Sequence, residues 1–129
     1  MCWQGVRTRI QRDLSAAGFS DLTAAHLAVF QYPSPRGMRI TTLADRAGMS
    51  RQAITYLVEE LIERGYLERG PDPSDRRASL VELTERGEAA VASIRSSVRR
   101  LEREWEAQVG VQRFADFRAI LAELTATLD

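Results

Sequence analysis

Three features of residues 38–87 predict a mainly α fold with a small β-hairpin wing. Two short helical segments flank Gly48, and the second, 51–64, is opened by Ser50 and closed by Gly65. Two short strand candidates, 66–69 and 77–83, follow at once around the turn-forming run GPDPSD. The tip between them carries Arg76 and Arg77. Helix, turn, helix and basic hairpin in that order are a winged helix-turn-helix, an arrangement that places one helix in the DNA major groove.

The remaining elements follow in chain order. Trp3, Val6, Ile10 and Leu14 recur at spacings of three and four, the stripe of an amphipathic helix that Gly18 would end. Asp21 or Thr23 caps a second helix reaching about residue 31. Residues 32–37 hold two prolines and a glycine and are expected to be a loop. Thr41 or Thr42 then caps a short helix over 43–47. In helix 51–64 the buried face is Ile54, Leu57, Val58 and Leu61. Thr84 opens a long helix, with Arg86 and Glu88 on its outer side and a heptad-like seam in Val91, Ile94, Val98, Leu101 and Trp105. Val109-Gly110 breaks it, and a last helix repeats the rhythm in Phe114, Phe117, Leu121, Leu124 and Leu128.

This pattern divides the chain into an N-terminal dimerisation helix (1–20), a winged helix-turn-helix (21–83) and C-terminal dimerisation helices (84–129). Apolar seams on three helices suit either a closed monomeric bundle or intermolecular pairing. Pairing is favoured, because DNA readers gain a second half-site and a fixed spacing from being dimers. The expected interface is Trp3, Val6, Ile10, Leu101, Trp105, Phe114, Phe117, Leu121 and Leu124.

Composition bounds the alternatives. The 129 residues are 44% apolar and 28% charged, as in ordinary globular proteins. No apolar run approaches the roughly 20 residues of a membrane span, and the charged N-terminus lacks a signal peptide's apolar centre, so a cytoplasmic location is expected. One cysteine and one histidine allow no intrachain disulfide and none of the usual zinc frameworks. No cofactor is expected. No glycine-rich phosphate loop and no nucleophile–base pair argue for an enzyme. Formal net charge is zero, which weighs mildly against a nucleic-acid binder, although binding depends on local patches. All 18 basic residues are arginine, the type suited to bidentate contacts with phosphate and guanine.

With its apolar side in the core, helix 51–64 offers Ser50, Arg51, Gln52, Thr55 and Tyr56 to the groove. Arg grips guanine O6 and N7, Gln grips adenine, and Thr or Tyr reaches phosphates or a thymine methyl. Glu59, Glu60 and Glu63 would repel phosphates, so only the first two turns are expected to enter. In the wing, 70–77, Arg76 and Arg77 suit a minor groove, and Asp75 is expected to orient Arg77 or cap the turn. Arg39 and Thr41 are further candidate contacts. Arg36 and Arg46 are equally well read as solvated. The bland alternative for all of these is an exposed polar face.

The stretch LADRAGMSRQAITYLVEELIERGYLERGPDPSDRRASLVELTERG resembles the MarR family of bacterial transcription regulators. Residues 43–69 follow its helix-turn-helix into the wing. Asp75, Arg77, Leu83, Thr84 and Gly87 fit its wing pattern, and Asp21-Leu22-Thr23 its second helix. The resemblance implies a homodimer with intertwined terminal helices and two winged lobes on a palindromic operator in double-stranded DNA. It implies repression of a nearby gene, released by a small aromatic ligand or an oxidant. The N-terminus is short for that pattern.

For sensing, Phe19, His26, Phe30 and Tyr32 are candidate effector-pocket residues, and the same residues read equally as core. Cys2, five residues from Arg7, is the one candidate for redox sensing against an incidental thiol. A winged-helix module that binds protein and not DNA is the alternative function.

Overall fold

The computed structural model describes residues 2–30 and 35–128, with side chains from residue 4 onward. The element order is α1 (Cys2–Ala16), α2 (Ala24–Leu27), β1 (Arg36–Met38), α3 (Ile40–Ala47), α4 (Arg51–Glu63), β2 (Leu67–Asp72), β3 (Asp75–Leu83), α5 (Glu85–Val109) and α6 (Val111–Ala126). The fold is mainly helical with a small antiparallel sheet. The chain forms two compact units, Met1–Arg95 and Ser96–Asp129.

The first unit is built around Leu14, Leu22, Val29, Phe30, Leu43, Ile54, Leu57, Val58, Leu61, Tyr66, Leu67, Val81, Leu83 and Val91, all buried. These come from α1, the α2 region, α3, α4, the sheet and the start of α5, so one core fixes the helix pair against the hairpin. Ile54, Leu57, Val58 and Leu61 are the stripe expected on α4, and burying each such side chain contributes about 1.5–3 kcal/mol. Val91 lies in this core and Ile94 packs on it, so the first part of the expected seam is used inside the first unit.

Local signals place the helix-turn-helix. Gly48 takes the left-handed conformation (φ 63°) that a Cβ would disfavour. Ser50 Oγ accepts the Ala53 amide at 3.1 Å, satisfying one of the open donors of α4. Thr84 Oγ1 does the same for Gly87 at the start of α5, at 3.1 Å.

Four expectations are corrected. Helix α2 is only one turn, Ala24–Leu27. Beyond it the chain tightens to i→i+3 bonds, Ala28 to Ala25, Val29 to His26 and Phe30 to Leu27. Helix α3 starts at Ile40, with Arg39 in the N-cap conformation and no side-chain cap. Thr41 and Thr42 therefore sit inside its first turn. Part of the expected loop is strand β1, which local sequence does not signal because it pairs with β3, more than 40 residues away in the chain. The hairpin strands also run further, leaving Pro73-Ser74 as the two-residue tip.

The sheet order is β1-β3-β2, so β1 and β2 are both edges. Pro71 is tolerated in β2 because an edge strand has an unpaired side. Register runs from Leu67↔Leu83 to Pro71↔Ser79, then jumps to Asp72↔Asp75. One step on β2 thus faces four on β3, and Arg76 and Arg77 lie in the bulged stretch.

In the second unit, Leu101 and Phe114 are buried, while Val111, Phe117, Ile120, Leu121, Leu124 and Leu128 of and beyond α6 are exposed. No described helix is long and apolar enough to cross a membrane.

Candidate nucleic-acid interface

Helix α4 turns Arg51, Gln52 and Tyr56 outward, and Tyr56 is 66% exposed. All three lie in its first two turns. Thr55 is half-buried, and its hydroxyl donates to the Arg51 carbonyl at 2.7 Å, so it is turned back on its own helix. Ser50 is exposed, with its oxygen engaged as the cap. Arg51, Arg46, Arg76 and Arg77 are exposed and pair with no carboxylate among the described residues.

The acidic second half of α4 is largely neutralised from within the fold. Glu59 pairs with Arg69 of β2. Glu60 is approached by His26 Nε2 at 2.7 Å and by Arg64 at 3.8 Å. The His26 hydrogen bond, then that of Tyr56, holds the Glu60 carboxyl below its ordinary range. Tyr56 is pushed up in turn, chiefly by its hydrogen bond to Glu60. His26 is 1% exposed, and the Thr23 amide donates to its Nδ1 at 3.0 Å. That assigns the proton to Nε2, which donates to Glu60.

The wing is fastened through Asp72, to which the sequence assigns no role. Asp72 is buried and accepts the Ser74 amide at 2.9 Å and the Ser74 hydroxyl at 2.7 Å. Arg39, expected among the contacts, reaches Asp72 through Nε at 2.8 Å. The Ser74 hydroxyl, its amide and then Arg39 hold the Asp72 carboxyl below its usual value. Asp75 accepts the Arg77 amide at 2.9 Å. The Asp-Pro-Ser run was the one available signal for Asp72, since Asp bonding the amide two residues on is a turn-forming habit. Thr41 is exposed on the first turn of α3.

A second fastening joins the segment before α2, the turn between α4 and β2, and the start of α5. Tyr66 is fully buried and donates to Asp21, with Arg86 over its ring at 4.5 Å and bonded to its hydroxyl at 3.0 Å. Arg64 donates to the Asp21 carbonyl. Burial, then Asp21, pushes the Tyr66 phenol up. Partial burial raises the Asp21 carboxyl, but Tyr66, a backbone bond, Arg86 and Arg64 outweigh it and hold it low.

Of the candidate effector residues, Phe19 and Phe30 pack on the Tyr66 ring at 6.1 and 6.2 Å. His26 has both ring nitrogens engaged. Tyr32 lies outside the described residues, as do the side chains of Cys2 and Trp3. An open cleft of about 460 Å³ lies beside the start of α4, lined by Ala25, Met49, Ser50, Gln52, Ala53, Tyr56 and Leu57. Of the candidate interface, Val6 is half-buried, Ile10 packs on the core, and Trp105 is half-buried. Phe117, Leu121 and Leu124 are 47–60% exposed. Among the described residues no cluster of His, Cys, Asp or Glu is placed to hold a metal.

The model of the MarR family matches residues 20–78, from the start of the α2 region through the wing arginines. Over this segment the chain is similar to the MarR family. MarR itself superposes with a TM-score of 0.79 at 25% identity, covering 98% of this chain and 90% of that one. A Staphylococcus aureus MepR variant bound to an oligodeoxyribonucleotide shares the fold at a TM-score of 0.64 and 17% identity, covering 100% of this chain and 94% of that one. CouR from Rhodococcus jostii RHA1, bound to p-coumaroyl-CoA, does so at 0.69 and 24% identity, covering 95% and 85%. No curated protein matches the chain. The fold is that of the MarR-family transcription regulators.

Proposed function

We propose that the protein is a sequence-specific, dimeric DNA-binding transcription regulator, a repressor of a nearby gene. The observation that carries this reading is the pairing of a capped helix, whose first two turns expose Arg51, Gln52 and Tyr56, with a wing whose Arg76 and Arg77 have no carboxylate partner among the described residues. Helix α4 enters the major groove and the wing arginines the minor groove, with Ser50 and Thr41 near phosphates. The acidic half of α4 stays outside.

Dimerisation is supported by the exposed apolar side chains of α6, Phe117, Leu121 and Leu124, which a lone chain leaves in water. The proposed interface also takes in Trp3, Val6, Ile10, Leu101, Trp105 and Phe114, on the helical spacing of the sequence alone. Two lobes read half-sites about 34 Å apart on a palindrome. MepR in complex with an oligodeoxyribonucleotide is a precedent for DNA on this fold. CouR bound to p-coumaroyl-CoA is one for an aromatic ligand on this fold, and release by a small aromatic ligand is part of the proposal. The proposal takes 21–83 as reader, with 1–20 and 84–129 as dimerisation segments.

The second reading, a winged-helix module that binds protein, draws on the zero net charge and on the ion pairs that occupy Arg36, Arg39, Arg69 and Arg86. Selection of bound duplexes from a randomised pool separates the two. Enrichment of one palindromic motif supports the regulator; no enrichment over input favours the protein-binding module.

A further inference from the structure

Asp72 is an unusual residue for a hairpin tip. Tips are normally solvated, yet its side chain is only 4% exposed. Its Oδ1 takes two donors from Ser74, the amide at 2.9 Å and the hydroxyl at 2.7 Å. Its Oδ2 takes two from Arg39, Nε at 2.8 Å and Nη2 at 2.7 Å. Arg39 Nη2 also reaches Ser74 Oγ at 3.1 Å. Arg39 stands between β1 and α3, whereas Asp72 ends β2, and these are opposite edges of the sheet. The guanidinium therefore straps the end of the sheet, from the helix pair to the far strand of the wing. Beyond the strap lies the bulged stretch with Arg76 and Arg77, where ladder pairing no longer fixes the backbone.

We propose that Arg39 is a positioning residue for the wing and not a phosphate contact: through Asp72 it fixes the tip that presents Arg76 and Arg77. The helix-turn-helix and wing then meet DNA as one rigid piece, and less conformational freedom is lost on binding. The lowered position of the Asp72 carboxyl agrees with a charged, fully bonded group. This inference rests on the DNA-binding reading.

The two roles for Arg39 predict opposite signs for one substitution. If Arg39 grips phosphate, Asp72→Ala frees it and removes a negative charge from the DNA side, so binding tightens. If Arg39 is a strap, Asp72→Ala weakens binding despite removing that charge. The expected loss is roughly tenfold in Kd, the order of one lost charge-assisted contact. Arg39→Ala should weaken binding to a similar extent, and the double variant should be no worse than either, because all three lose the same fixed tip. Asp72→Asn, which retains an acceptor for the Ser74 amide but loses the ion pair, should fall between.

The binding assay uses the full chain on its selected duplex, with thermal melts to confirm that each variant folds. Hydrogen exchange at the Ser74 and Arg77 amides, measured without DNA, is the second readout. Arg39→Ala should speed both while amides in the α4 core are unchanged. Tighter binding by Asp72→Ala, additive losses in the double variant, or unaltered exchange at Ser74 would each overturn the strap. If the wild-type protein selects no DNA, the regulator reading fails, and the exchange experiment still decides whether the strap exists.

Discussion

Gly87→Ala is the substitution whose effect the structure fixes most tightly. Residue 87 lies in the first turn of α5, where alanine is ordinarily better than glycine by about 1 kcal/mol. Here a Cβ would stand 2.1 Å from the Tyr66 carbonyl oxygen and 3.0 Å from Leu83 Cδ2. The Tyr66 carbonyl is backbone and also accepts the Thr84 amide at 3.1 Å, so no rotamer change relieves the clash. The start of α5 must move off the β2 junction, disturbing Tyr66 and Leu83 in the core. Overpacking of this kind costs about 3 kcal/mol at the upper end of its range. Less the propensity gain, the net loss is about 2 kcal/mol. At about 4 °C per kcal/mol for a chain of this size, the melting temperature should fall by about 8 °C. Gly70→Ala is the control. A Cβ there meets nothing within 4 Å, and a strand glycine replaced by alanine gains about 0.5–1 kcal/mol. Urea melts of the two variants should therefore shift in opposite directions. A Gly87→Ala protein as stable as the wild type would refute the packing described for the α5–β2 junction.

Arg51→Ala or Gln52→Ala should relax preference at one base pair per half-site by about 1–3 kcal/mol, read by binding to single-base operator variants; equal losses on every sequence would reduce these residues to backbone contacts. Leu121→Asp should shift the protein to monomer in sedimentation, because it places an unpaired charge in an apolar interface; an unaltered dimer would mean that the interface lies elsewhere. Asp21, Glu60 and Asp72 are all held below their ordinary pKa in the folded chain. Their stabilisation is therefore complete at neutral pH and is lost as pH falls through and below the usual carboxylate range near 4. Melting temperature should be flat from about pH 6 to 8 and drop on acidification; a drop already complete at pH 6 would contradict these assignments.

What the sequence revealed and what it hid divide along one line. The stop at Gly48, the Ser50 cap and the α4 stripe were legible because each depends on residues within a turn or two. The α3 start and strand β1 were not. Arg39 serves as N-cap through its backbone conformation, and β1 exists only because β3 lies beside it. The same holds in the site. The exposed set Arg51, Gln52 and Tyr56 follows from helical period alone. Which arginines remain available does not, because the partners lie far apart in the chain: Arg39 and Asp72 are 33 residues apart, Arg36 and Glu88 52. By sequence His26 is a candidate effector-pocket residue. Its 34-residue reach to Glu60 gives it a partner that the sequence could not name.

The central claim is sequence-specific DNA binding by this winged helix. Fluorescence anisotropy of the purified protein with labelled duplex from its own upstream intergenic region tests it most directly. Salt is titrated and unrelated duplex is added as competitor. The account predicts tight, salt-sensitive binding that resists the competitor, with two subunits per site. Binding no tighter than to the unrelated duplex, there and on any motif selected from a randomised pool, would contradict it.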